Sequence, residues 1–365
     1  MAVLTLRELN RATLARQLLL RRSDMGVVAA LEHLVGLQAQ TPHSWYVGLW
    51  SRLAGFRAEQ AADLLLGRDA VRIAVMRSTI HFVTARDAVW LRPLVQVVIE
   101  RSTNGAFGKH LKDIDREALT KDGRELVESA PRTPSELGKL LAERWPGRDP
   151  AALYQAIRMW LPLVQVPPRG VWGRSGATSH TTTDAWLGRP LATDATPDEL
   201  VLRYLAAFGP ASVKDIQTWC GLTRLAEVTT RLGDRLIRFR DEQGQELFDL
   251  PDAPRPPADT PAPIRFLYDY DNLLLSHADR TRFITPEYFR QGFTDNGPMP
   301  SIILIDGFTG AHWRITRQRR TATLHIKPFA PLAPADVAAI EEEGARLLAF
   351  TEPRTTTHDI QWLPH

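Results

Sequence analysis

The sequence predicts an α+β fold, mainly α, in which a helix-then-hairpin order recurs three times ahead of a β-rich C-terminal region. Three observations carry that reading. Helical periodicity fills the first seventy residues and then gives way to two β-rich runs; the same order returns twice; and beyond a Pro-rich stretch at 251–263 the pattern changes to short alternating strands. A length of 365 residues with 44% hydrophobic content is enough for several units around a sizeable core.

The first unit spans residues 1–130. Its helices are LRELNRATLARQLLL, DMGVVAALEHLVGL with Asp24 as N-cap, and RAEQAADLLLG closed by Gly67. The runs RIAVM and IHFVT then flank a polar RST turn and read as a hairpin from about Arg72 to Thr84. Helices followed by a two-stranded hairpin is the winged-helix order, a helix-turn-helix variant that sets one helix in a DNA groove. The second unit, 131–195, opens with PRTPSELGKLLAER, where Thr133 and Glu136 form a capping-box pattern, and continues with AALYQAIRMWLPL and a short wing, VQVPPRGVWGRSG. The third, 196–260, has three helices and the hairpin IRFRDEQGQELFDL turning at Gln243 and Gly244, and PDAPRPPADTPAP after it reads as a linker or surface strap. In 261–365, RFLYDYDNLLLSH, SIILIDGF, HWRITR and TATLHIKPF read as strands before the helix APADVAAIEEEGARLLAF. The expectation is three tandem winged-helix units plus a β-rich C-terminal region.

Composition excludes several function classes. One cysteine, Cys220, leaves no internal disulfide and no CxxC metal site, which points to a reducing cytoplasm. The N-terminus carries charges through its apolar positions, unlike a signal peptide, and no run of about 18 apolar residues suggests a membrane span. The net charge is only +3, so affinity for a polyanion rests on where charge lies. Of 45 basic residues 39 are Arg, a composition that fits either planar phosphate recognition or codon bias. Walker, nucleophile-elbow and dinucleotide patterns are absent, and Asp269, Asp271, His277 and Asp279 in DYDNLLLSHADRTR match no metal-ligand spacing, so neither cofactor nor metal is expected.

The stretch GLQAQTPHSWYVGLW sets Gln38 and Gln40 about Ala39 at the end of an apolar helix. Pro42 biases Thr41 away from helical dihedrals, so the backbone there unwinds, and in extended backbone residues i and i+2 point the same way. Two readings stand: the amides converge on one point, or Gln38 caps the helix while Gln40 is a solvated loop residue.

GLQAQTPHSWYVGLWSRL, followed some thirty residues later by MRSTIHFVTARD, resembles the AlkZ/YcaQ family of bacterial winged-helix DNA glycosylases. That family's signature is Gln, an apolar residue, then Gln or Asp. LYDYDNLLLSHADRTR and ILIDGFTGAHWRITR resemble later segments of the same family, so the likeness covers nearly the whole chain. It implies that Gln38 and Gln40 are catalytic. The Gln-Ala-Gln form resembles the branch associated with self-resistance to DNA-alkylating natural products.

The chemistry follows independently. Breaking a base–sugar bond passes through an oxocarbenium-like state that positioned oxygen dipoles stabilise. A purine alkylated at N7 or N3 is already cationic and leaves with little acid catalysis, so neutral amide carbonyls suffice and are easier to bury than a carboxylate. The expected activity is a monofunctional DNA glycosylase acting on bulky N7-alkylguanine or N3-alkyladenine adducts, with unhooking of interstrand crosslinks as an extension. No Lys near the motif offers a Schiff base for lyase chemistry. The expected partner is duplex DNA carrying alkylated purines, and the protein is expected to act as a cytoplasmic, nucleoid-associated monomer. The rival reading is a winged-helix transcriptional regulator without enzymatic activity, although no dimerisation heptads appear.

Around the motif, His43 and Trp45 are candidates to stack on a base or adduct, unless SWYVGLW simply enters the core, and Asp271 and Asn272 are candidates to face the same pocket. For DNA, Arg77 and His81 in the first hairpin are candidates, Arg77 for a phosphate or a neighbouring carboxylate, together with Arg280. The run from Gly307 to Ala335 lacks Asp and Glu but holds Arg314, Arg317, Arg319, Arg320 and Lys327. It reads as a basic hairpin with its tip at 317–320, either a DNA contact or a charged edge against aggregation.

Overall fold

The computed structural model describes residues 1–292 and 299–365. The chain is an α+β protein, mainly helical, with three small sheets among the described residues. The first sheet orders its strands Leu37–Gln38, Ile80–Thr84, Ala70–Ala74, Leu163–Gln165 and His180–Thr182, each antiparallel to its neighbour. The hairpin expected at 72–84 is therefore present. The short wing expected at VQVPPRGVWGRSG differs: its chain leaves the sheet after Gln165 and returns only at His180, and both strands add to the first unit's sheet. The first two expected units thus share one sheet across residue 130.

The helices largely follow apolar spacing and caps. Thr133 closes the expected capping box on Glu136, and Ser212 forms another with Asp215. Two boundaries differ from expectation. Gly26, not Asp24, precedes the helix Val27–His33, and Arg68 takes the left-handed position after Gly67 with φ 66°. Helices Ala85–Leu94, Gln96–Phe107 and Arg116–Ser129 fill the stretch between the first hairpin and residue 130, for which no element is expected above. The last of these packs with Pro134–Arg144 and Pro150–Trp160 around Leu119, Val127, Leu137, Leu141, Leu153 and Ile157, a small core distinct from the main one.

The third region contributes Pro197–Phe208, Val213–Cys220, Leu225–Leu232 and the hairpin Ile237–Asp241/Glu246–Asp249, whose free edge pairs in parallel with Val3–Leu4. The Pro-rich segment lies as a strap on the first helix, Leu6–Arg16. Arg7 donates to the Ala258 carbonyl at 2.7 Å, Arg11 to Thr260 at 2.6 Å and Arg16 to Pro254 at 3.2 Å. The C-terminal sheet orders Thr357–Trp362, Thr321–Pro328, Phe308–Gln318, Ile302–Ile305 and Arg265–Leu267, with only the Thr357–Trp362 strand parallel to its neighbour.

A minority of the arginines are internal and held by the fold. Arg11, Arg16, Arg52, Arg72 and Arg92 are among the largest fully buried side chains, and Arg16 forks onto Asp249 at 2.6 and 2.9 Å. Among the described residues no helix is long and apolar enough to cross a membrane.

Three histidines are buried in neutral form. Desolvation, with Arg77 nearby, pushes His81 down to about 3; desolvation, with Arg158, pushes His180 down to about 4; and burial beside Arg282 lowers His277 against the pull of Asp215. Folded-state pKa values below the ordinary 6.5 mean that the unfolded chain binds protons the native state refuses, so stability is full above pH 6.5 and declines as pH falls towards 4. Each histidine contributes about 1.4 kcal/mol per pH unit in that window, so the three together steepen the decline to roughly 4 kcal/mol per unit. Chemical denaturation at pH 7.5, 6 and 5 should show this slope, and His81→Gln should lessen it by about one proton; an unchanged slope in that variant contradicts a buried neutral His81.

Candidate active site

Gln38 ends a short strand, Leu37–Gln38, made by an early helix stop, and Gln40 lies two residues beyond it. The second helix ends at His33 because Val35 and Gly36 adopt φ of 55° and 82°. Gly36 is required there on two counts, since a Cβ would lie 2.5 Å from Val83 Cγ1 and 2.9 Å from the Phe82 carbonyl oxygen. The reversal delivers Leu37 opposite Phe82 and Gln38 opposite His81. Gln38 is therefore in extended backbone, not on a helical stripe, and it neither caps the helix nor reaches solvent. Ala39 continues the pairing by donating to the Ile80 carbonyl at 2.7 Å.

Every backbone carbonyl from Gly36 to Ala39 that faces away from the sheet partner meets a side chain from elsewhere. Asn272 Nδ2 donates to the Gly36 carbonyl at 2.7 Å while its Oδ1 accepts from Gln38 N at 3.3 Å. The Tyr268 hydroxyl donates to the Gln38 carbonyl at 2.9 Å, and Arg72 Nη2 to the Ala39 carbonyl at 2.7 Å. Burial holds the Tyr268 hydroxyl protonated, well above its ordinary pKa, so it stays a donor. Behind Asn272, Asp271 is gripped bidentately by Arg52 at 2.7 and 2.8 Å. Burial works against the Arg52 charge, and Asp271 outweighs it.

The side chains complete the geometry. Gln38 is only 3% exposed, and its Oε1 accepts from Arg77 Nη2 at 2.7 Å. Gln40 is exposed, and its Oε1 accepts from Ile80 N at 3.4 Å. Both amides thus engage the segment Arg77–His81. Arg77 is held left-handed at φ 55° and also donates to the Trp219 carbonyl; no carboxylate pairs with it among the described residues. Desolvation brings Arg77 and Arg72 down to about 10, so both remain cations at neutral pH. His81 Nδ1 lies 3.0 Å from the Thr79 carbonyl while its Nε2 has no partner among the described residues.

Several expectations change. Trp45 is fully buried, stacked on Tyr46 at 3.9 Å and close to Phe82 at 4.2 Å, so packing removes it as a platform for a base. Asp271 and Asn272 are buried with their polar atoms used inside the protein, and they position the strand instead of lining a pocket. His81 is too buried to meet a phosphate, and Arg77 is turned inward to an amide and a carbonyl. His43 is half-buried with Nε2 3.1 Å from the Val171 carbonyl. Arg280 is partly buried with its guanidinium 5.2 Å from the Phe289 ring centre.

The basic hairpin forms as Phe308–Gln318 and Thr321–Pro328, turning at Arg319 and Arg320. Arg314, Arg317, Arg319, Arg320 and Lys327 are all exposed, but Arg317 pairs with Glu352, so a carboxylate from beyond the last helix enters a run that lacks acids in sequence. Among the described residues no group of His, Cys, Asp and Glu could hold a metal. Arg72, Arg52 and Tyr268 were not distinguishable from the sequence: Tyr268 lies 230 positions from the carbonyl it serves, and no local spacing connects them.

Comparison with known proteins gives a consistent picture. Residues 31–350 match the family described as DNA glycosylase AlkZ-like. The interstrand DNA cross-link repair glycosylase of Streptomyces sahachiroi is 23% identical over 363 residues, covering 91% of this chain and 92% of that protein. The solved structure of the Streptomyces sahachiroi DNA glycosylase AlkZ shares the fold, with a TM-score of 0.79 at 19% identity over 99% of this chain and 100% of the other.

Proposed function

The chain belongs to the AlkZ-like DNA glycosylase family, and from that premise we propose that it is a monofunctional glycosylase for bulky N7-alkylguanine adducts in duplex DNA. N3-alkyladenine is the secondary substrate, and unhooking of interstrand crosslinks extends the same chemistry, in keeping with the interstrand cross-link repair named for the Streptomyces sahachiroi relative. Its setting is repair in a cell exposed to a genotoxic natural product. The observation that carries the reading is the pinned Gln38–Ala39–Gln40 segment, whose backbone is held by Asn272, Tyr268 and Arg72 and whose amides meet one short segment of chain.

The C1′–N9 bond breaks with its electron pair moving into the purine, which cancels the positive charge that alkylation placed on the ring. Water adds at C1′ and loses its proton to solvent. A leaving group activated in this way needs no strong acid, which agrees with a site whose buried histidine stays neutral down to about pH 3. The lysine needed for a Schiff base is absent from the motif's surroundings in sequence, so base release should leave an abasic site without strand cleavage.

The test is base release from duplexes carrying N7-alkylguanine adducts graded from methyl to bulky intercalating and crosslinking agents. Release that rises with adduct size supports the reading. Tight binding with no release at any adduct returns the protein to a DNA-binding regulator.

The basic hairpin is the proposed duplex contact. Reversing both Arg319 and Arg320 to Glu should weaken binding and lower the slope of log affinity against log salt by about two, near 0.9 for each phosphate that the protein no longer neutralises. Fluorescence anisotropy over a salt series reads this directly, and an unchanged slope removes the hairpin from the interface.

A further inference from the structure

The Arg77–Gln38 contact determines which end of the amide is free. A guanidinium carries N–H donors and no acceptor, so the Gln38 atom 2.7 Å from Arg77 Nη2 must be the carbonyl oxygen. The backbone N–H of Ile80 imposes the same choice on Gln40 through a longer bond of 3.4 Å. Among the described residues neither Nε2 finds an acceptor, and although Gln38 is nearly buried its Nε2 is not one of the fully enclosed orphan atoms. Both carbonyls are turned towards the protein, and both amide N–H2 groups are left for whatever enters the site. This orientation is opposite to the one in which carbonyl oxygens stabilise a cationic sugar.

We infer that Gln38 and Gln40 meet the substrate as hydrogen-bond donors, and that Arg77 is the positioning residue that holds Gln38 in that orientation. The inference rests on the glycosylase reading above and specifies its chemistry. The ligand is an acceptor atom of the departing purine. As the C1′–N9 bond breaks, electron density flows into the ring, so its carbonyl oxygen and ring nitrogens become better acceptors than they are in the cationic ground state. A donor placed there is worth more in the transition state than before it, which is the condition for acceleration. The unpaired charge of Arg77 polarises the amide further and strengthens the Nε2 donor.

The contact also explains an otherwise costly arrangement. Arg77 occupies a left-handed backbone position, and Ser78 does too at φ 61°, which is unfavourable for residues with a Cβ. The turn carries the guanidinium inward, where it spans the Trp219 carbonyl of a helix in the third region and the Gln38 amide of the first. A phosphate contact would require the same group to face out.

Gln38→Glu is the deciding variant, because it keeps the oxygen that Arg77 holds, adds a negative charge beside the sugar and deletes only the Nε2 donor. Single-turnover base release by Gln38→Glu should fall about 100-fold, the loss typical of one missing transition-state donor, with melting temperature unchanged or raised by the new ion pair. Arg77→Gln should slow release with the dissociation constant and salt slope unchanged, and should cost nothing further when combined with Gln38→Ala, because both remove one oriented amide. Gln38→Glu releasing base as fast as the wild type or faster overturns the donor assignment in favour of charge stabilisation at the sugar. Loss of DNA affinity in Gln38→Ala with its release rate preserved overturns the purine acceptor in favour of a phosphate oxygen. A salt slope reduced by about one in Arg77→Gln overturns the positioning role for Arg77. Each of these outcomes requires an active wild type; a wild type that releases no modified base overturns the glycosylase reading itself, and this inference with it.

Discussion

Gln38→Ala is expected to slow base release by about 100- to 1,000-fold in single turnover, the range for removing one preorganised transition-state donor, while DNA affinity changes by no more than about twofold. The separation of the two effects follows from how the strand is held. Gln38 N, the Gln38 carbonyl and the Ala39 carbonyl are bound by Asn272, Tyr268 and Arg72, so deleting the side chain leaves the backbone path intact. Gln40→Ala should cost less, about tenfold, since Gln40 is exposed and its amide rests on one long bond and is less well preorganised. Wild type and both variants should show a rate that is flat from about pH 6 to 8.5, because His81 sits at about 3 and Arg77 at about 10. A rate that titrates near pH 6 would assign the chemistry to a carboxylate or a different histidine.

Asp271→Ala should be the most destabilising single change near the site, at about 3–5 kcal/mol, because it strands the Arg52 guanidinium without its counter-charge in a fully buried position. The damage reaches function through one covalent neighbour. Asn272 follows Asp271 directly and joins Gly36 to Gln38, so loss of the ion pair should loosen the strand that carries Gln38 without touching a glutamine. Urea denaturation with a constant m-value measures the first effect and single-turnover release the second. Replacing both Arg52 and Asp271 by apolar residues of similar volume should recover much of the stability, as removing a buried ion pair whole costs far less than halving it. A loss below about 1 kcal/mol in Asp271→Ala would mean that Arg52 finds another partner.

The units readable from the sequence are those whose signals are local. The hairpin at 72–84, the third region with its turn at Gln243 and Gly244, the Thr133 capping box and the basic hairpin tip all follow from period, caps and turn residues within a dozen positions. Differences arise where tertiary contacts outweigh local preference. The apolar stripe from Val28 to Gln38 suggests a longer helix, yet Gly36 is a visible stop signal, and close approach to Val83 makes it one. Aromatic clustering places Trp45 equally well in a pocket or a core, and only packing against Tyr46 and Phe82 decides. Arginine abundance points outward to phosphate, whereas Arg16, Arg52 and Arg72 point inward to carboxylates and carbonyls. The glutamines are recognisable by type and spacing, but the orientation of their amides depends on Arg77, thirty-nine positions away from Gln38.

The distance in sequence between the strand and its anchors has a consequence for the protein's birth. Gln38 leaves the ribosome well before Tyr268 and Asn272, which fix its backbone and follow 230 and 234 positions later. Domains form as the chain emerges, so the early helices can assemble while the Leu37–Gln38 strand still lacks its pins. A nascent chain stalled or cleaved short of residue 268 would carry both glutamines and every strand of the first sheet, but not the Tyr268 and Asn272 side chains that pin the strand between them.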